Sequence, residues 1–443
     1  MVIGAGAAGE AAANMGASLG AKVAVVEEDL VGGLCAYWAC MPSKSLLDSA
    51  SRRALGAGYS WERAAERRDW MINKSEGHPT DKSAVEKLER AGVKLFRGKA
   101  RITGPGRVEA SENGSLTQTL ECKSIICATG SVPIIPKVEG LEEAGYWTNR
   151  EGTALDDIPS SIVVLGGGPM GVELSQVYAR FGSKVTVVCG SSDRVLPRDH
   201  QASSAAVTKQ LEMDGVRVLT GASACKVTRG GAGRIVDLSD GSKVEAAELL
   251  VAVGRRPSDL SALGVEEAGA TLGEELHDEQ MRIGESVFVA GDAAAGLQFT
   301  HIADYEGRVA AKAALGRDAR IDLTSVPKAT YTDPETAAVG LTVEEAREQG
   351  IDAFEVTQDF ATTARGYTIE GSFGHVTAVV DRERGLLVGA FAAAPRASEL
   401  IHEAVLGIKL KVPVSVLADT ITAFPTGARV FGNLMYDAIG QMS

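Results

Sequence analysis

The chain of 443 residues carries 45 basic and 58 acidic residues, which gives a formal net charge of −13, and 45% of its residues are hydrophobic. This length predicts roughly three domains, and the acidic balance argues against a nucleic-acid partner. No run of about 18 apolar residues appears, and Met1 opens directly onto a strand, so we expect no membrane span, no signal peptide and a cytoplasmic location.

The chain begins with a strand, a glycine loop and a helix. Residues 1–3 predict a buried strand, and the loop Gly4-x-Gly6-x-x-Gly9 precedes an alanine-rich helix. The next strand ends at Glu27, where a carboxylate can accept hydrogen bonds from a ribose. Glycines at this spacing let backbone N–H groups approach a pyrophosphate at a helix N-terminus. The segment therefore predicts a dinucleotide site, with a plain βαβ turn as the alternative.

Two cysteines follow this segment directly. Cys35 and Cys40 lie five residues apart, between Gly33 and Lys44. In this position a thiolate could take electrons from a bound flavin and pass them to a second sulfur within disulfide reach. The spacing requires a distorted helix start, and a helix N-terminus lowers the pKa of a thiol. A partial metal site and an incidental pair are the alternatives, but no nearby Cys or His completes a set of metal ligands, so we expect no resident metal.

The stretch before the second half of the chain predicts helices and then strands. Residues 62–92 are charged and predict helices. Strand-like stretches follow at 93–96 and 124–127, and the second ends at Ala128-Thr129-Gly130.

A second copy of the strand, glycine loop and helix begins at residue 162. Its loop is Gly166-x-Gly168-x-x-Gly171, and its second strand covers 184–188. The two copies have the same spacing. In each, the residue at the end of the second strand lies 23 positions beyond the first glycine of the loop (4 to 27 and 166 to 189). Two copies with matched spacing predict two dinucleotide sites.

The second site differs from the first at its ribose position. Cys189 stands where the first copy has Glu27, and Ser192, Arg194 and Arg198 follow it. A carboxylate there would favour NAD and repel a 2′-phosphate, whereas hydroxyls and cations favour NADPH. We therefore predict NADPH over NADH. Arginines that are merely solvated, with NADH as the cofactor, are the alternative.

The rest of the chain predicts a return to the first domain and then a third domain. A strand at 287–290 runs into Gly291-Asp292, and from about Thr324 strands alternate with amphipathic helices without glycine loops. The predicted domains are an FAD-binding domain at 1–150 and 270–323, a nicotinamide nucleotide-binding domain at 151–269, and a C-terminal domain at 324–443.

Together these motifs resemble the FAD-dependent pyridine nucleotide-disulfide oxidoreductases, which include dihydrolipoamide dehydrogenase, glutathione reductase and mercuric reductase. The resemblance extends over essentially the whole chain, including 254–257, 332–342 and 398–401. It implies an α/β protein with two Rossmann-like dinucleotide-binding domains and a C-terminal α+β dimerisation domain. It also implies bound FAD and a homodimer whose active site is shared between subunits.

The resemblance also implies roles for particular residues. Cys40 would be the charge-transfer thiol against the flavin and Cys35 the outer interchange thiol. Lys44 and Glu173 would form an ion pair beside flavin N5, and Asp292 would bind the ribityl chain. The residues expected to contact the two cofactors are Gly4, Gly6, Gly9, Glu27, Gly33, Lys44, Thr129, Gly130, Gly166, Gly168, Gly171, Arg194, Gly254, Arg255, Gly291 and Asp292.

The chain departs from the family near its C-terminus. Family members usually carry a His and, five residues later, a Glu that serve as the general acid–base for thiol–disulfide exchange. Here Phe424 and Arg429 occupy those positions, and none of the six histidines lies beyond His402. General acid–base catalysis typically contributes ~10²–10⁴-fold, so we predict poor turnover of ordinary disulfides such as glutathione disulfide or lipoamide.

Three functions are consistent with this departure. The first is an NADPH-dependent flavoenzyme that passes electrons through Cys35 and Cys40 to a non-standard small-molecule acceptor: a disulfide, a quinone or a metal ion. The second is carbon–sulfur bond cleavage with carboxylation, because 2-oxopropyl-CoA reductase/carboxylase-like members also carry Phe at the position of Phe424. The third is a non-catalytic FAD-binding subunit, against which the retained cysteines, Lys44 and Glu173 argue.

Overall fold

The computed structural model describes residues 1–231 and 233–442. Its strands, in chain order, are β1 (Val2–Ile3), β2 (Ala24–Glu27), β3 (Lys74–Ser75), β4 (His78–Pro79), β5 (Lys94–Arg97), β6 (Lys99–Gly104), β7 (Arg107–Glu112), β8 (Ser115–Glu121), β9 (Ile125–Cys127), β10 (Ser131–Pro133), β11 (Ser161–Leu165), β12 (Lys184–Val188), β13 (Arg217–Leu219), β14 (Ala224–Gly230), β15 (Gly233–Leu238), β16 (Lys243–Ala246), β17 (Glu248–Val251), β18 (Arg255–Pro257), β19 (Val287–Val289), β20 (Lys328–Thr330), β21 (Glu335–Gly340), β22 (Ala353–Asp359), β23 (His375–Asp381) and β24 (Leu386–Ala394).

The helices between them are α1 (Ala7–Ser18), α2 (Gly33–Tyr37), α3 (Cys40–Ala54), α4 (Trp61–Met71), α5 (Lys82–Arg90), α6 (Leu141–Ala144), α7 (Asn149–Thr153), α8 (Pro169–Arg180), α9 (Gln201–Met213), α10 (Leu260–Leu263), α11 (Thr300–Ala314), α12 (Val343–Glu348), α13 (Ala364–Tyr367), α14 (Ala397–Leu400), α15 (His402–Lys409), α16 (Val414–Asp419) and α17 (Gly427–Met442). Short 3₁₀ turns lie at Val265–Ala268, Gly291–Ala294 and Phe360–Thr362.

The described chain forms two compact units. Unit 1 comprises Met1–Ser45, Ala65–Ile134 and Gly254–Asp322, and unit 2 comprises the remaining described residues. The α/β class predicted from the sequence is confirmed by this mixture of parallel sheets, helices and an antiparallel C-terminal sheet. The three domain boundaries given above stay a prediction.

Unit 1 is built on a parallel sheet of order β19-β9-β1-β2-β5. Its strands β1, β9 and β19 are apolar throughout, as expected for strands covered on both faces, and Val25, Ile125 and Val289 are fully buried. Helix α11 packs closely on α1 because Gly307 has no side chain: a Cβ there would lie 2.2 Å from the carbonyl oxygen of Ala8. A separate antiparallel sheet, β6-β7-β8, was not predicted from the sequence.

Unit 2 contains a second parallel sheet, of order β13-β12-β11-β17, and an antiparallel sheet of β14-β15-β16. Its C-terminal part is an antiparallel sheet of order β20-β21-β24-β23-β22, against which α14, α15, α16 and α17 pack. The apolar side chains of α17 that fill this core include Val430, Leu434 and Met435, which recur with helical spacing. Within the described residues, no helix is long and apolar enough to cross a membrane.

Candidate functional site

The first glycine loop joins the end of β1 to the start of α1. Gly4 has a φ of 91°, and a Cβ on Gly9 would lie 1.9 Å from the carbonyl oxygen of Gly4, so both positions require glycine. Gly6 caps α1 without a side chain, and a Cβ on Gly33 would lie 2.7 Å from its Cα. The predicted loop residues therefore meet at one helix N-terminus, which is left open to an anion such as a pyrophosphate.

Glu27 is the last residue of β2 and lies at the end of the sheet that carries the first glycine loop. Its carboxylate accepts hydrogen bonds from the backbone N–H of Ala5 at 2.5 Å and of Asp29 at 2.7 Å. Burial raises the pKa of this carboxyl, and the two backbone hydrogen bonds oppose the increase. A carboxylate fixed in this way is suited to accept hydrogen bonds from the hydroxyls of a ribose, so the residues present fit FAD.

The dithiol lies at the junction of two helices. Cys35 is in the short helix α2, and Cys40 is the first residue of α3, so the expected interruption of the helix occurs between them. The side chains of Cys35 and Cys40 are hydrogen-bonded to each other. The hydroxyl of Thr300 donates a hydrogen bond to Cys35 Sγ at 3.1 Å and lies 3.5 Å from Cys40 Sγ.

Thr300 is a site residue that the sequence did not reveal. It is the first residue of α11, 265 positions from Cys35 in the chain. Nothing in its local sequence marks it as a contact of the sulfurs, and only the packing of α11 against α1 brings it there.

The groups around the dithiol determine which of the two sulfurs carries the proton. The hydrogen bond with Cys40 and burial raise the pKa of the Cys35 thiol, while the hydrogen bond from Thr300 and the positive charge of Lys44 lower it. A Cys35 thiol that donates to Cys40 stabilises Cys40 as the thiolate. This distribution matches the roles that the family resemblance implies for the two sulfurs, which stay a prediction.

A Thr300→Val variant tests the hydroxyl contact. Removing a donor from a thiolate raises the thiol pKa, so we expect iodoacetamide to modify Cys35 of the reduced protein about tenfold more slowly at pH 8. The pH profile of alkylation, followed by mass spectrometry at Cys35, should move to higher pH. Thr300→Ser retains the hydroxyl and should behave as wild type; an unshifted profile in the valine variant would show that Thr300 does not act on the sulfurs.

Lys44 and Glu173 belong to different units. Lys44 lies on α3, and its Nζ donates to Ser43 Oγ at 3.4 Å. Glu173 lies on α8 with 2% of its surface exposed, and it accepts a hydrogen bond from the backbone N–H of Tyr331 at 2.9 Å. Their predicted ion pair beside the flavin stays a prediction.

A polar cluster joins β10, β18 and the turn after β19 in unit 1. Arg255 Nε donates to Ser131 Oγ at 2.8 Å, and Ser131 in turn donates to Asp292. Thr129 and Ser258 share a hydrogen bond of 2.6 Å. This cluster brings together predicted residues from three segments that are distant in the chain, 129–131, 254–258 and 291–292. The glycines of the same cluster, each with a positive φ, are Gly130, Gly254 and Gly291.

Glu306 is a second buried group that the sequence did not single out. Its carboxylate accepts a hydrogen bond from the backbone N–H of Gly291 at 2.8 Å. Burial raises the pKa of Glu306 to about 7, with a further contribution from the charge of Asp292. The hydrogen bond between Gly291 and Glu306 fixes the position of the 3₁₀ turn that carries Asp292.

The second glycine loop repeats the geometry of the first in unit 2. Gly166 has a φ of 114°, and a Cβ on Gly171 would lie 2.0 Å from its carbonyl oxygen. Gly168 caps α8, whose first residue is Pro169. Predicted loop residues thus form a second open helix N-terminus.

Cys189 follows β12 at the ribose position of this second loop. Burial raises the pKa of its thiol to about 11, so it carries no charge at neutral pH. Arg194 lies nearby in the chain, with its Nη1 3.4 Å from the exposed carboxylate of Asp193. Within the described chain its Nε is buried and has no hydrogen-bond partner.

In unit 2, Phe424 lies three residues before α17, and Arg429 lies in the first turn of that helix. Phe424 is 74% exposed. Thr426 accepts a hydrogen bond from the backbone N–H of Arg429 at 3.2 Å, which fixes the first turn of the helix. A phenyl ring carries no proton to transfer, and a guanidinium stays protonated at all working pH values. Among the described residues, no group of three or more His, Cys, Asp or Glu could hold a metal ion.

The chain matches known protein families and has relatives of known name. A family model described as pyridine nucleotide-disulphide oxidoreductase matches residues 1–307, and the model for its dimerisation domain matches residues 326–435. Dihydrolipoyl dehydrogenase of Halobacterium salinarum is 35% identical, over 96% of this chain and 93% of that protein. Mercuric reductase of Staphylococcus aureus is 29% identical, over 97% of this chain and 80% of that protein.

Two solved structures share the fold over almost their whole length. The Cu(II) complex of the HOCl-induced flavoprotein disulfide reductase RclA from Escherichia coli has a TM-score of 0.87 and 25% identity, covering 98% of both chains. LpdA from Mycobacterium tuberculosis has a TM-score of 0.87 and 28% identity, covering 99% of both chains.

Proposed function

The chain belongs to the pyridine nucleotide-disulphide oxidoreductase family, whose members use FAD and a nicotinamide nucleotide, and from that premise we propose that it moves electrons from NADPH to the Cys35–Cys40 pair and on to a metal ion. The observation that carries the proposal is a contrast. The two sulfurs and Thr300 form a connected cluster, whereas the sequence resemblance predicts that Phe424 stands at the position of the family's proton donor.

The proton balance decides among the acceptors. A disulfide that takes up two electrons also takes up two protons to become two thiols, and a quinone needs two protons to become a hydroquinone. By contrast, two Cu(II) ions take one electron each and become two Cu(I) ions without any proton. The Cys35 thiol and the Cys40 thiolate become a disulfide in that reaction and release one proton. A site without a proton donor is therefore suited to a metal ion.

Relatives support a metal acceptor. Mercuric reductases are among the proteins with similar sequences. The RclA structure with 25% identity is described as a Cu(II) complex. Thiolates such as those of Cys35 and Cys40 are the ligands that soft and borderline metal ions prefer. The similarity to these proteins therefore supports such an ion as the acceptor for this chain.

Particular residues of the chain would have distinct roles in electron transfer. Bound FAD supplies the two-electron carrier between nicotinamide and sulfur. Cys40 receives the electron pair, and Cys35 is the outer sulfur that meets the acceptor. The Thr300 hydroxyl and the charge of Lys44 favour the thiolate form of Cys35 during that encounter. The dimerisation domain supports a homodimer, and we infer that the second subunit places Phe424 beside the dithiol of the first.

A screen of acceptors tests the proposal. Under anaerobic conditions with NADPH, we expect Cu(II) supplied as its bis-histidine complex, or Hg(II), to support turnover at least about 100-fold faster than lipoamide or a quinone. Equal rates with lipoamide would contradict the metal assignment. Phe424 also matches the carboxylase-like members, so the screen includes 2-oxopropyl thioethers with bicarbonate. Carboxylated product there would replace the proposed function with carbon–sulfur bond cleavage.

The preference for NADPH has its own test at Arg194. A guanidinium that binds the 2′-phosphate should contribute about tenfold to selectivity, so Arg194→Ala should lower the ratio of kcat/KM for NADPH to that for NADH by about tenfold. Arg217→Ala is the matched control, because Arg217 is an exposed arginine of the same sheet that pairs with Thr186 within β12 and does not follow the glycine loop. An unchanged ratio in the Arg194 variant would leave NADH as the equal partner.

A further inference from the structure

A cavity of about 320 Å³ lies in unit 2 between the segment after β22 and the start of α17. Phe424 lines it, together with two arginines, Arg365 and Arg429. Its other polar lining consists of hydroxyls and amides, and no acidic side chain of the described residues contributes to it. These polar residues include Gln358, Thr426 and Asn433.

The two arginines have no acidic partner among the described residues. Within the part of the chain that the structure describes, neither Arg365 nor Arg429 forms an ion pair, and the only hydrogen bond of the Arg365 guanidinium goes to Thr368 Oγ1 at 3.3 Å. Arg180, by comparison, is held by Asp214 at 2.9 Å and Asp333 at 3.0 Å. In a chain with 58 acidic residues, two cations that share a cavity without a carboxylate are open to an external anion.

The rest of the lining complements this charge. Asn433 lies four residues after Arg429 on α17, so the two side chains share one face of the helix. Gln358 Oε1 is buried and makes no hydrogen bond to the described residues, so it can accept one from a ligand. Thr426 is already engaged with the backbone of α17. The cavity thus offers two guanidiniums and two amides to one small molecule.

We propose that this cavity, through Arg365 and Arg429, binds the carboxylate or phosphate group of the electron acceptor. The preferred acceptor is then a molecule that carries a carboxylate or phosphate group, and a metal acceptor is a chelate whose ligands carry such a group. The assignment to the acceptor rests on the proposed function, whereas the binding of an oxyanion does not. Because Phe424 lines the same cavity, an anion held there lies beside the residue that replaces the family's histidine.

Two aromatic disulfides give a kinetic test on the FAD-loaded homodimer. Both 5,5′-dithiobis(2-nitrobenzoate), a dianion, and 4,4′-dithiodipyridine, which is neutral, release weakly basic thiolates that need no proton donor. In Arg365→Ala and in Arg429→Ala, the KM for the dianion should rise about tenfold more than the KM for the neutral disulfide. Arg384→Ala removes an equal charge from an exposed site and should leave the ratio of the two KM values within twofold. An unchanged ratio in both test variants overturns the proposal.

Calorimetry separates this proposal from the proposed function. Terephthalate, a dicarboxylate without redox activity, and inorganic phosphate should bind the oxidised holoenzyme, and each arginine variant should weaken that binding about tenfold. Tighter binding of one of the two probes identifies the acidic group. If neither disulfide is reduced, the proposed function fails while binding still decides the anion site. If the variants instead weaken the dimer and leave the Kd values unchanged, a carboxylate of the partner subunit occupies the cavity and the proposal is wrong.

Discussion

Replacing Cys40 with serine should leave FAD bound and reduce NADPH-dependent turnover of every acceptor by at least about 1,000-fold. The loss is large because the oxygen of serine neither forms a disulfide with Cys35 nor exists as an anion at neutral pH. FAD retention is expected because the first glycine loop and Glu27, which would hold the nucleotide, make no hydrogen bond that depends on Cys40. The measurements are the flavin content of the purified variant and its absorbance during a titration with NADPH.

The absorbance gives a readout that does not depend on turnover. Wild type should develop a long-wavelength band from a thiolate beside the flavin, and the Cys40→Ser variant should not. Cys225→Ser is the matched control, because Cys225 is an exposed thiol in unit 2 that the proposed mechanism does not use. A wild-type protein that shows no such band would contradict a dithiol coupled to the flavin.

A Phe424→His/Arg429→Glu double variant should reduce lipoamide about 100-fold faster than wild type, within the ~10²–10⁴-fold range of general acid–base catalysis. The histidine would protonate the leaving thiolate, and the glutamate would orient it. The gain should be absent with 4,4′-dithiodipyridine, whose leaving thiolate needs no proton and whose neutrality avoids the cavity arginines. Steady-state rates with both disulfides, measured on both proteins, check this expectation.

The single variant Arg429→Glu serves as the control for the change in charge. It lacks the imidazole, so it should reduce lipoamide no faster than wild type. A wild-type protein that reduced lipoamide as fast as the double variant would contradict the prediction that Phe424 and Arg429 stand in place of a His–Glu pair.

Local spacing was enough to predict the glycine loops. Gly4 and Gly9 approach each other because of the turn between one strand and one helix, and Gly166 and Gly171 repeat that turn. Glu27 was predicted on the same basis, because it ends the neighbouring strand. Each of these positions follows from a short segment whose geometry is nearly independent of the rest of the chain.

Other parts of the site depend on contacts between distant segments. Thr300 reaches Cys35 only through the packing of α11, and Ser131 reaches Arg255 only because β10 pairs with β18. No local pattern distinguishes Thr300 or Ser131 from an ordinary polar residue. The cavity that contains Arg365 and Arg429 has the same origin, since 64 positions separate them (429 minus 365).

The antiparallel sheet β6-β7-β8 was missed for a different reason. Its last strand, Ser115–Glu121, is exposed at nearly every position, so the sequence lacks the alternation of apolar and polar residues that predicts a strand. Hydrogen bonds to β7 rather than burial define this strand. None of the candidate site residues lies in this sheet.

A single-turnover experiment tests whether the dithiol passes its electrons to a metal ion. The holoenzyme is reduced anaerobically with one equivalent of NADPH and then mixed with either the Cu(II) bis-histidine complex or lipoamide, while the flavin and thiolate absorbance is followed. We expect Cu(II) to reoxidise the dithiol at least about 100-fold faster than lipoamide, with two Cu(I) formed and one proton released per active site. Reoxidation by lipoamide at the same rate as by Cu(II) would contradict this expectation.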